Sequence, residues 1–403
     1  MPHAASHPFL DTSASFGSPP IPTERFPGLH RDWVRLDGPA GTQTLDVVAD
    51  AMFGYLVDGR NANTEGFFAA SEYTDAMLAR TRQAIGRFYG ADPEGVVFGT
   101  NMTSLNFAFT RTVGRTLRPG DEIICTTLDH EANVAPWLAI AEETGAQVRF
   151  ATFEPDTGRL PTEQVTRLLT DRTRWIAVTG ASNVLGTMPD VAAITTAAHD
   201  AGARVLVDAV HLTPHRPIDV AALGCDVLLS SAYKWYGPHI GVLWGRPELL
   251  ADLRPYHVGD HADPEPAHWQ VGTPPLEAIA GLAAAAEFLL EVGMADIVRY
   301  EQRVFATLLA GLRDLPRVSV VGPDDHLDRA PTVTFTIAGQ KPDDVARFLA
   351  DRHIAVWSGD FYAPRAISAL GLGDAGGAVR AGVSCYTTED DVATFLTAIS
   401  TLC

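Results

Sequence analysis

A lysine stands directly after a run of apolar and hydroxyl residues in the middle of the chain, in the stretch Ser230-Ser231-Ala232-Tyr233-Lys234. A buried lysine is costly unless it has a partner or forms a covalent bond. A lysine that forms a Schiff base with a carbonyl compound needs a fixed position and a lowered pKa. Alone, this stretch fits a Schiff-base lysine and a lysine on a surface loop equally well.

A second apolar run ends in an acid, Asp208, and an imidazole, His211, follows three residues later. In a parallel α/β sheet, ligands bind at the carboxyl ends of the strands. An aspartate placed there can pair with the protonated ring nitrogen of pyridoxal 5′-phosphate (PLP), although it also suits a helix N-cap. Asp208 and Lys234, each at the end of its own strand, together favour PLP as the cofactor.

Three further segments place polar groups after predicted strands. Asn101, Met102 and Thr103 open a predicted helix, where backbone N–H groups and hydroxyls bind phosphate well, although such residues are ordinary at helix starts. His130 suits stacking on an aromatic ring, and Asn183 suits a hydrogen bond to a ring hydroxyl. Each of these residues alone fits an ordinary loop. As members of one set of strand-end groups, they fit a single crevice.

The elements that must position these residues alternate between short apolar runs and helical patterns. The predicted strands of the first part are 95–99, 122–127, 175–179, 204–207, 226–229 and 241–244, with helices such as 131–144, 191–201 and 276–292. This alternation predicts an α/β fold with a mainly parallel sheet wrapped by helices. Later residues predict a smaller α+β unit with strands 317–321, 332–337 and 379–384 and helices 342–352 and 389–402.

This change of pattern divides the chain. We expect an irregular N-terminal arm (1–30), a large PLP-binding domain (31–295), whose first part is free to pack on the small domain, and a small C-terminal domain (296–403).

Composition restricts the partners and the compartment. The chain has 403 residues, with 49 acidic against 30 basic side chains and a formal charge of −19, which disfavours a nucleic-acid partner. No apolar run is long enough for a bilayer and no leader pattern opens the chain, so neither a membrane partner nor secretion is indicated. The four cysteines lack metal-ligand spacing. We expect no metal and a reduced, cytoplasmic protein.

In their order along the chain, these motifs resemble the class V aminotransferase family of PLP fold type I, and especially its cysteine-desulfurase-like members. The resemblance runs from Leu36 to Glu389. It implies that Lys234 is the Schiff-base lysine and moves the proton at the substrate Cα. It also implies that Asp208 pairs with the pyridine nitrogen and that His130 stacks on the ring.

The same resemblance implies roles for the other candidates. Asn183 and His211 would lie near the ring hydroxyl and the substrate. The phosphate cradle would comprise Asn101, Met102 through its backbone, Thr103, Ser231 and Tyr233. Thr273, in Gly272-Thr273-Pro274, would reach the phosphate of a neighbouring subunit, which implies a homodimer with shared active sites. Arg380 would hold an α-carboxylate through paired hydrogen bonds.

The chain departs from this family pattern in one loop. Desulfurases of this group carry a mobile nucleophilic cysteine there, whereas this chain has Tyr362, and Trp357 stands where relatives often have arginine. A phenol cannot accept sulfur to form a persulfide. We assign Trp357 and Tyr362, together with Asn183 and Arg380, to substrate binding. Tyr362 as a general acid and Tyr362 as a packing residue of the loop are both open, and we favour packing.

These residues leave three functions to consider. The first is C–S bond cleavage by β-elimination of an S-substituted cysteine. The second is decarboxylation, oxidative deamination, transamination or epimerisation of an amino-acid-like substrate, which the sequence does not separate. A true cysteine desulfurase is not among these three, because the phenol of Tyr362 cannot accept sulfur. The third, a non-catalytic binding protein, predicts a damaged Lys234 or Asp208, and both are intact.

Overall fold

The computed structural model describes residues 17–29, 32–258 and 267–403. Its centre is a seven-stranded sheet whose strands, in spatial order, are Val96–Gly99, Gly241–Gly245, Val227–Ser231, Arg204–Asp208, Thr173–Thr179, Glu122–Thr126 and Gln147–Ala151. Gly241–Gly245 is antiparallel to both of its neighbours, and the other pairings are parallel. The predicted α/β class and mainly parallel sheet are confirmed.

Helices cover both faces of this sheet. In chain order they are Asp46–Val57, Ala69–Tyr89, Met102–Gly114, Ala135–Thr144, Thr162–Thr166, Val191–Asp200, Val220–Leu223, Pro247–Asp252 and Leu276–Val292. Successive strand residues point to opposite faces, so that Val205 and Val207 join one apolar cluster and Leu206 joins another. The strands are therefore buried on both sides, which explains their continuous apolar runs.

The C-terminal part forms a separate four-stranded antiparallel sheet in the order Trp357–Gly359, Ala378–Gly382, Thr332–Ile337, Val318–Val321. Its helices are Met294–Arg313, Pro342–Ala350, Pro364–Ala369 and Glu389–Ser400. The last helix begins with a capping box between Thr388 and Asp391. A third apolar cluster fills this unit and includes Phe335 and Phe395.

The two long helices between these units meet at Gly293, whose φ of +87° suits glycine. No helix in the described part of the chain is long and apolar enough to span a membrane; Leu276–Val292 and Met294–Arg313 meet those criteria only as a pair, bent by 77°. The domain division near residue 295 stays a prediction and lies just after this bend.

The beginning of the described chain is attached to both units. Val34–Arg35 pairs in parallel with Ile354–Ala355 of the C-terminal unit. Within residues 17–29, Ile21 and Phe26 are buried, and the Phe26 ring lies 5.0 Å from the ring of Tyr386 in the C-terminal unit and 5.7 Å from that of Tyr236 in the large unit. The predicted irregular arm is therefore packed over these residues, because its few apolar side chains enter the core. Residues 1–16 and 30 of the arm lie outside the described residues.

Candidate active site

The strand-end residues meet in one cleft at the carboxyl edge of the large sheet. Lys234, Asp208, Asn183 and His130 each follow or end a different neighbouring strand. We call the space between these four side chains the inner cleft. Its lining residues are Met102, Thr103, His130, Ala132, Thr179, Ala181, Asn183, Asp208, Val210, His211, Ser231, Tyr233 and Lys234.

Lys234 ends a short 3₁₀ turn, Ala232–Lys234, directly after the strand Val227–Ser231. Its Nζ donates a hydrogen bond of 2.5 Å to the carbonyl oxygen of Pro39. Burial, followed by the positive charge of Arg380, lowers the pKa of this amine to about 7, while Asp208 opposes the shift. A fixed amine that loses its proton near neutral pH is what a Schiff-base lysine requires.

Asp208 is the last residue of its strand and is 5% exposed. Its Oδ1 accepts a hydrogen bond of 2.9 Å from the Val210 N–H. Burial raises the pKa of this carboxyl group to about 6, against the lowering effects of that hydrogen bond and of Lys234. A buried carboxylate that faces the cleft suits a protonated ring nitrogen.

His130 lines the cleft as a neutral ring. Its Nδ1 accepts a hydrogen bond of 3.0 Å from the Ala132 N–H. Burial, with the charges of Lys234 and Arg380 adding to it, lowers the pKa of His130 to about 4. An uncharged imidazole held by the backbone suits the stacking role predicted for it. The predicted helix 131–144 is divided here into the 3₁₀ turn Glu131–Asn133 and the helix Ala135–Thr144, whose first turn contains Pro136.

The proposed phosphate end lies where the helix Met102–Gly114 begins. Asn101 is its N-cap, and its side chain accepts a hydrogen bond from the Ser104 N–H. The Met102 N–H donates to the Ser231 hydroxyl oxygen over 3.0 Å. The structure thus differs from the expectation that the Met102 N–H binds the phosphate, because this N–H already donates to Ser231. Since the Ser231 oxygen is the acceptor in that bond, its hydroxyl hydrogen stays free to donate to a phosphate. The N-terminus of a helix carries a partial positive charge, so its position beside such hydroxyls suits a phosphate.

Tyr233 forms the outer wall of this end, with its ring stacked 4.9 Å from that of His239. A Cβ added to Gly241 would lie 2.3 Å from the carbonyl carbon of Asn101. The sheet and the helix start therefore touch through glycine, and this close approach holds the cradle in place.

His211 lies at the other side of the cleft, where its Nε2 is 2.8 Å from the Thr332 hydroxyl oxygen. Behind it, His215 Nδ1 lies 2.8 Å from a carboxylate oxygen of Glu301, which is fully buried. Thr332 and Glu301 belong to the C-terminal unit. The residue predicted near the ring is thus held by a polar network that joins the two units.

Arg380 is 5% exposed, so it is not a surface arginine. Its Nη1 donates to the Asn183 carbonyl oxygen over 2.9 Å, and its guanidinium lies 4.5 Å from the centre of the Phe361 ring. The Asn183 Nδ2 donates to the Phe361 carbonyl oxygen over 2.9 Å. Within the described part of the chain, Arg380 Nε and Asn183 Oδ1 are buried and have no partner.

The partnerless atoms Arg380 Nε and Asn183 Oδ1 indicate whether a cofactor and a substrate fit the cleft. Buried polar atoms are ordinarily hydrogen-bonded, so an orphaned amide oxygen and an orphaned guanidinium nitrogen beside one cleft indicate missing ligand atoms. Asn183 Oδ1 suits a ring hydroxyl, and Arg380 Nε suits a carboxylate. Together with Lys234, Asp208 and the helix start, the residues present fit PLP and an amino acid.

A wider space, the outer chamber, opens from the inner cleft. It shares His130, Asn183, Tyr233 and Lys234 with the cleft, and its further walls include Pro39, Phe107, Asp360, Phe361 and Arg380. Trp357 and Tyr362 line it and are 53% and 73% exposed. Our expectation that Tyr362 packs the loop is wrong, because its ring extends into the chamber, 5.7 Å from that of His130.

Thr273 is the one predicted site residue that the structure does not bring to the others. It is exposed and lines neither the inner cleft nor the outer chamber. In the described part of the chain, no cluster of three histidine, cysteine or acidic side chains is arranged to hold a metal.

Sequence reasoning missed Pro39, Phe107 and Thr332. Phe107 could have been found, because it lies four residues after Thr103 and so on the same face of the helix. Pro39 and Thr332 come close only through contacts that span 195 and 121 residues, and local patterns carry no signal for these.

Comparison with known proteins identifies the family. The model of the family "Aminotransferase class-V" matches residues 34–395. A cysteine desulfurase of Klebsiella pneumoniae is 33% identical, covering 91% of this chain and 94% of that protein. An uncharacterised protein of Mycobacterium tuberculosis is also 33% identical, covering 93% and 97%. The chain spans only 62% of a longer cysteine desulfurase of Synechococcus elongatus, with 32% identity.

Solved structures agree with this assignment. The apo cysteine desulfurase of Thermococcus onnurineus has a TM-score of 0.90 at 28% identity, covering 96% of this chain and 99% of that one. The Escherichia coli cysteine desulfurase CsdA has a TM-score of 0.85, also at 28% identity, covering 94% and 96%. The chain therefore belongs to the class V aminotransferase family and is a PLP-dependent, cysteine-desulfurase-like enzyme of PLP fold type I.

Proposed function

We propose that this enzyme is a C–S lyase that eliminates the β-substituent of an S-substituted L-cysteine. With water, the products are a thiol, pyruvate and ammonia. The observation that carries this proposal is that the site contains no thiol: the loop position where desulfurases carry their nucleophilic cysteine is occupied by Tyr362, which faces the outer chamber.

All four cysteines lie away from the site. Cys125, Cys225 and Cys385 are buried and Cys403 ends the chain, and none of them lines the cleft or the chamber. Burial raises the pKa of the Cys125 and Cys385 thiols, and that of Cys225 to about 12. A persulfide forms on an accessible thiolate, so these residues do not provide a sulfur acceptor.

The two partnerless atoms described above define how a substrate is held. Arg380 Nε would bind the α-carboxylate, and the Phe361 ring beside the guanidinium keeps water away from that pair. PLP supplies the electron sink that makes the Cα proton acidic. Asn183 and Asp208 would hold the ring of the cofactor and His130 would cover it.

Lys234 provides the base. Lys234 lines both the inner cleft and the outer chamber, so its amine would reach the Cα of a substrate held between them. With a pKa lowered to about 7, the free amine accepts that proton near neutral pH. The C–S bond then breaks, the sulfur takes up a proton and leaves as the thiol, and water converts the remaining enamine to pyruvate and ammonia.

The assembly and location are part of the same proposal. Thr273 is exposed on a single chain, and a homodimer would place it against the phosphate end of the partner's site. The acidic chain has no basic surface excess that would favour nucleic acid. A cytoplasmic location stays a prediction.

Product identification tests the proposal. We expect the PLP-loaded enzyme, incubated with S-phenyl-L-cysteine and related S-substituted cysteines, to form pyruvate and the matching thiol in equal amounts, read by mass spectrometry. Carbon dioxide with an aldehyde would instead establish decarboxylation, and a 2-oxo acid that keeps the sulfur group would establish transamination or oxidative deamination. Deuterium exchange at Cα without products would indicate epimerisation. Each of these three outcomes contradicts the proposal.

A further inference from the structure

We infer that the outer chamber selects substrates whose β-sulfur carries a large apolar group, such as an aromatic ring, and excludes those whose sulfur carries an anionic group. The inference deepens the proposed function, on which it rests for the identity of the reacting bond. It is carried by the position, lining, charge and rigidity of the chamber.

The position of the chamber follows from the residues that it shares with the inner cleft. Lys234, His130 and Asn183 line both spaces, and Arg380 lies in the chamber wall. A substrate whose carboxylate is bound to Arg380 and whose Cα faces Lys234 would extend its β-substituent into the chamber. The chamber wall therefore meets the leaving group and not the reacting carbon.

The lining of this wall is aromatic. Phe107, Trp357 and Tyr362 are 44%, 53% and 73% exposed, and all three side chains line the chamber. Large aromatic faces left in water at a substrate mouth gain free energy when an apolar group covers them. A methyl group on sulfur covers little of this surface, whereas a phenyl ring covers much more.

The charges on the rim act in the same direction. Asp360 and Glu131 line the chamber. Glu131 is neutralised by Arg365 in a salt bridge, whereas the only hydrogen bond that the Asp360 carboxylate accepts from the described residues comes from the backbone N–H of Tyr362, over 3.0 Å. The cations that line the chamber, Lys234 and Arg380, are engaged with the Cα proton and the α-carboxylate. An anionic substituent therefore meets net negative charge without an available cation.

The wall is fixed before a substrate binds. The Phe361 and Tyr362 carbonyl oxygens accept hydrogen bonds from Asn183 Nδ2 and the Glu131 N–H, over 2.9 and 2.7 Å. Arg365, in the helix Pro364–Ala369 that follows this loop, pairs with the Glu131 carboxylate. Phe361 and Tyr362 both have positive φ, +57° and +54°, which non-glycine residues adopt only when their surroundings hold them there. A preorganised wall contributes selectivity without an ordering cost.

Three amino acids that lack sulfur test the chamber independently of C–S cleavage. L-Homophenylalanine, L-norvaline and L-2-aminoadipate are the methylene counterparts of S-phenyl-, S-methyl- and S-carboxymethyl-cysteine. Their dissociation constants would be measured with the PLP-loaded enzyme from the absorbance change of the cofactor. We expect homophenylalanine to bind about tenfold more tightly than norvaline, and aminoadipate to bind most weakly of the three.

Substitutions of residues in the chamber wall test whether the wall causes this binding preference. Trp357→Ala and Tyr362→Ala should each reduce the homophenylalanine-to-norvaline preference to about threefold or less. Tyr256→Ala is the matched control, because Tyr256 is 49% exposed but lies against Arg111 and Arg115, outside the chamber. This control should keep the full preference.

Equal binding of homophenylalanine and norvaline, or tightest binding of aminoadipate, would overturn the inference. A preference that survives both wall variants would do the same. Failure of the proposed function is a separate result: the three ligands would keep their order while S-phenyl-cysteine yields no thiol.

Discussion

At the scale of single residues, the most informative feature is that Lys234 shares its site with a second buried cation. Arg380 and burial together favour the neutral amine, and Asp208 only partly offsets them. Since a neutral amine is the form that attacks an aldehyde, the lowered pKa prepares Lys234 to bind the cofactor near neutral pH.

This environment predicts the pH dependence of cofactor loading. A lysine with its ordinary pKa near 10.4 would be almost fully protonated at pH 8, whereas a pKa of about 7 leaves most of the amine neutral there. The rate at which the apoprotein takes up PLP, read by absorbance, should therefore rise through about pH 7 and then level off. A rate that continues to rise up to pH 10 would show that the amine is not perturbed.

The chain offers a matched control for this lysine. Its sequence contains only two lysines, Lys234 and Lys341, and Lys341 is exposed at the start of a helix. After borohydride reduction, peptide mass spectrometry should find the cofactor on Lys234 alone. Lys234→Ala should abolish turnover, and Lys341→Ala should leave loading and turnover unchanged.

Removal of the Tyr362 hydroxyl tests whether Tyr362 acts as an aromatic wall residue or as a general acid. If Tyr362 acts through its ring, Tyr362→Phe keeps the aromatic surface and turnover of S-phenyl-cysteine stays within about twofold of the unmodified enzyme. A general acid contributes about 10²–10⁴-fold, so its loss would be unmistakable. Steady-state kinetics across pH, with Tyr362→Ala as a second variant, distinguishes these roles.

The meeting of four strand-end side chains in one cleft could be predicted from the sequence. Lys234, Asp208, Asn183 and His130 were predictable because each follows an apolar strand, and carboxyl ends of parallel strands share one edge. Two features could not be predicted, because each depends on a partner far away in sequence. The Met102 N–H donates a hydrogen bond to Ser231, and Tyr362 points outward on a loop that is held by the Glu131 N–H.

At the scale of elements, a buried polar network connects the two units beside the cleft. Glu301, on the helix Met294–Arg313, accepts a hydrogen bond from the Tyr236 hydroxyl over 3.2 Å and lies 2.8 Å from His215. Its side chain is fully buried. Since His215 is adjacent to His211, this network keeps one wall of the cofactor site in position.

Removal of Glu301 should therefore be costly. Glu301→Ala leaves His215 and Tyr236 without their shared partner, and we expect the free energy of unfolding to fall by about 3 kcal/mol or more. The shift of the urea transition measures this. The matched control is Glu287→Ala, because the Glu287 pair with Arg87 is more than half exposed, and its loss should cost at most about 1 kcal/mol. Equal shifts for the two variants would contradict a structural role for the buried network.

Elements were predictable where periodicity was clear and were missed where it was not. The strand Gln147–Ala151 lies at the edge of the large sheet and is partly exposed, so it lacks the apolar run of its neighbours. The strand Trp357–Gly359 has only three residues, yet its pairing places Trp357 opposite Arg380. The reversed direction of Gly241–Gly245 was also hidden, because an apolar run does not reveal strand direction.

At the scale of the whole molecule, we propose that the exposed Thr273 reaches the phosphate end of a partner subunit's site. We expect light scattering to give twice the mass of the chain. Thr273→Val should weaken PLP retention after dialysis, although Thr273 lines neither space in its own chain. A monomer, or unchanged retention, would remove the shared-site proposal.

A dimer made of two different variant chains tests the shared site more directly. In a dimer of Lys234→Ala and Thr273→Val chains, one site receives both Lys234 and Thr273 in native form. Subunit exchange between the two inactive or weakened variants should restore about a quarter of the native sites. No restoration would show that each site is complete within one chain.

The fate of L-cysteine tests the central claim most directly, namely that this family member breaks the C–S bond without a protein thiol. The PLP-loaded enzyme would be incubated with L-cysteine, and pyruvate, sulfide, alanine and the intact protein mass would be measured together. We predict pyruvate with sulfide and an unchanged protein mass. Alanine, with a protein heavier by one sulfur atom, would show that one of the four cysteines reaches the site and would contradict the claim.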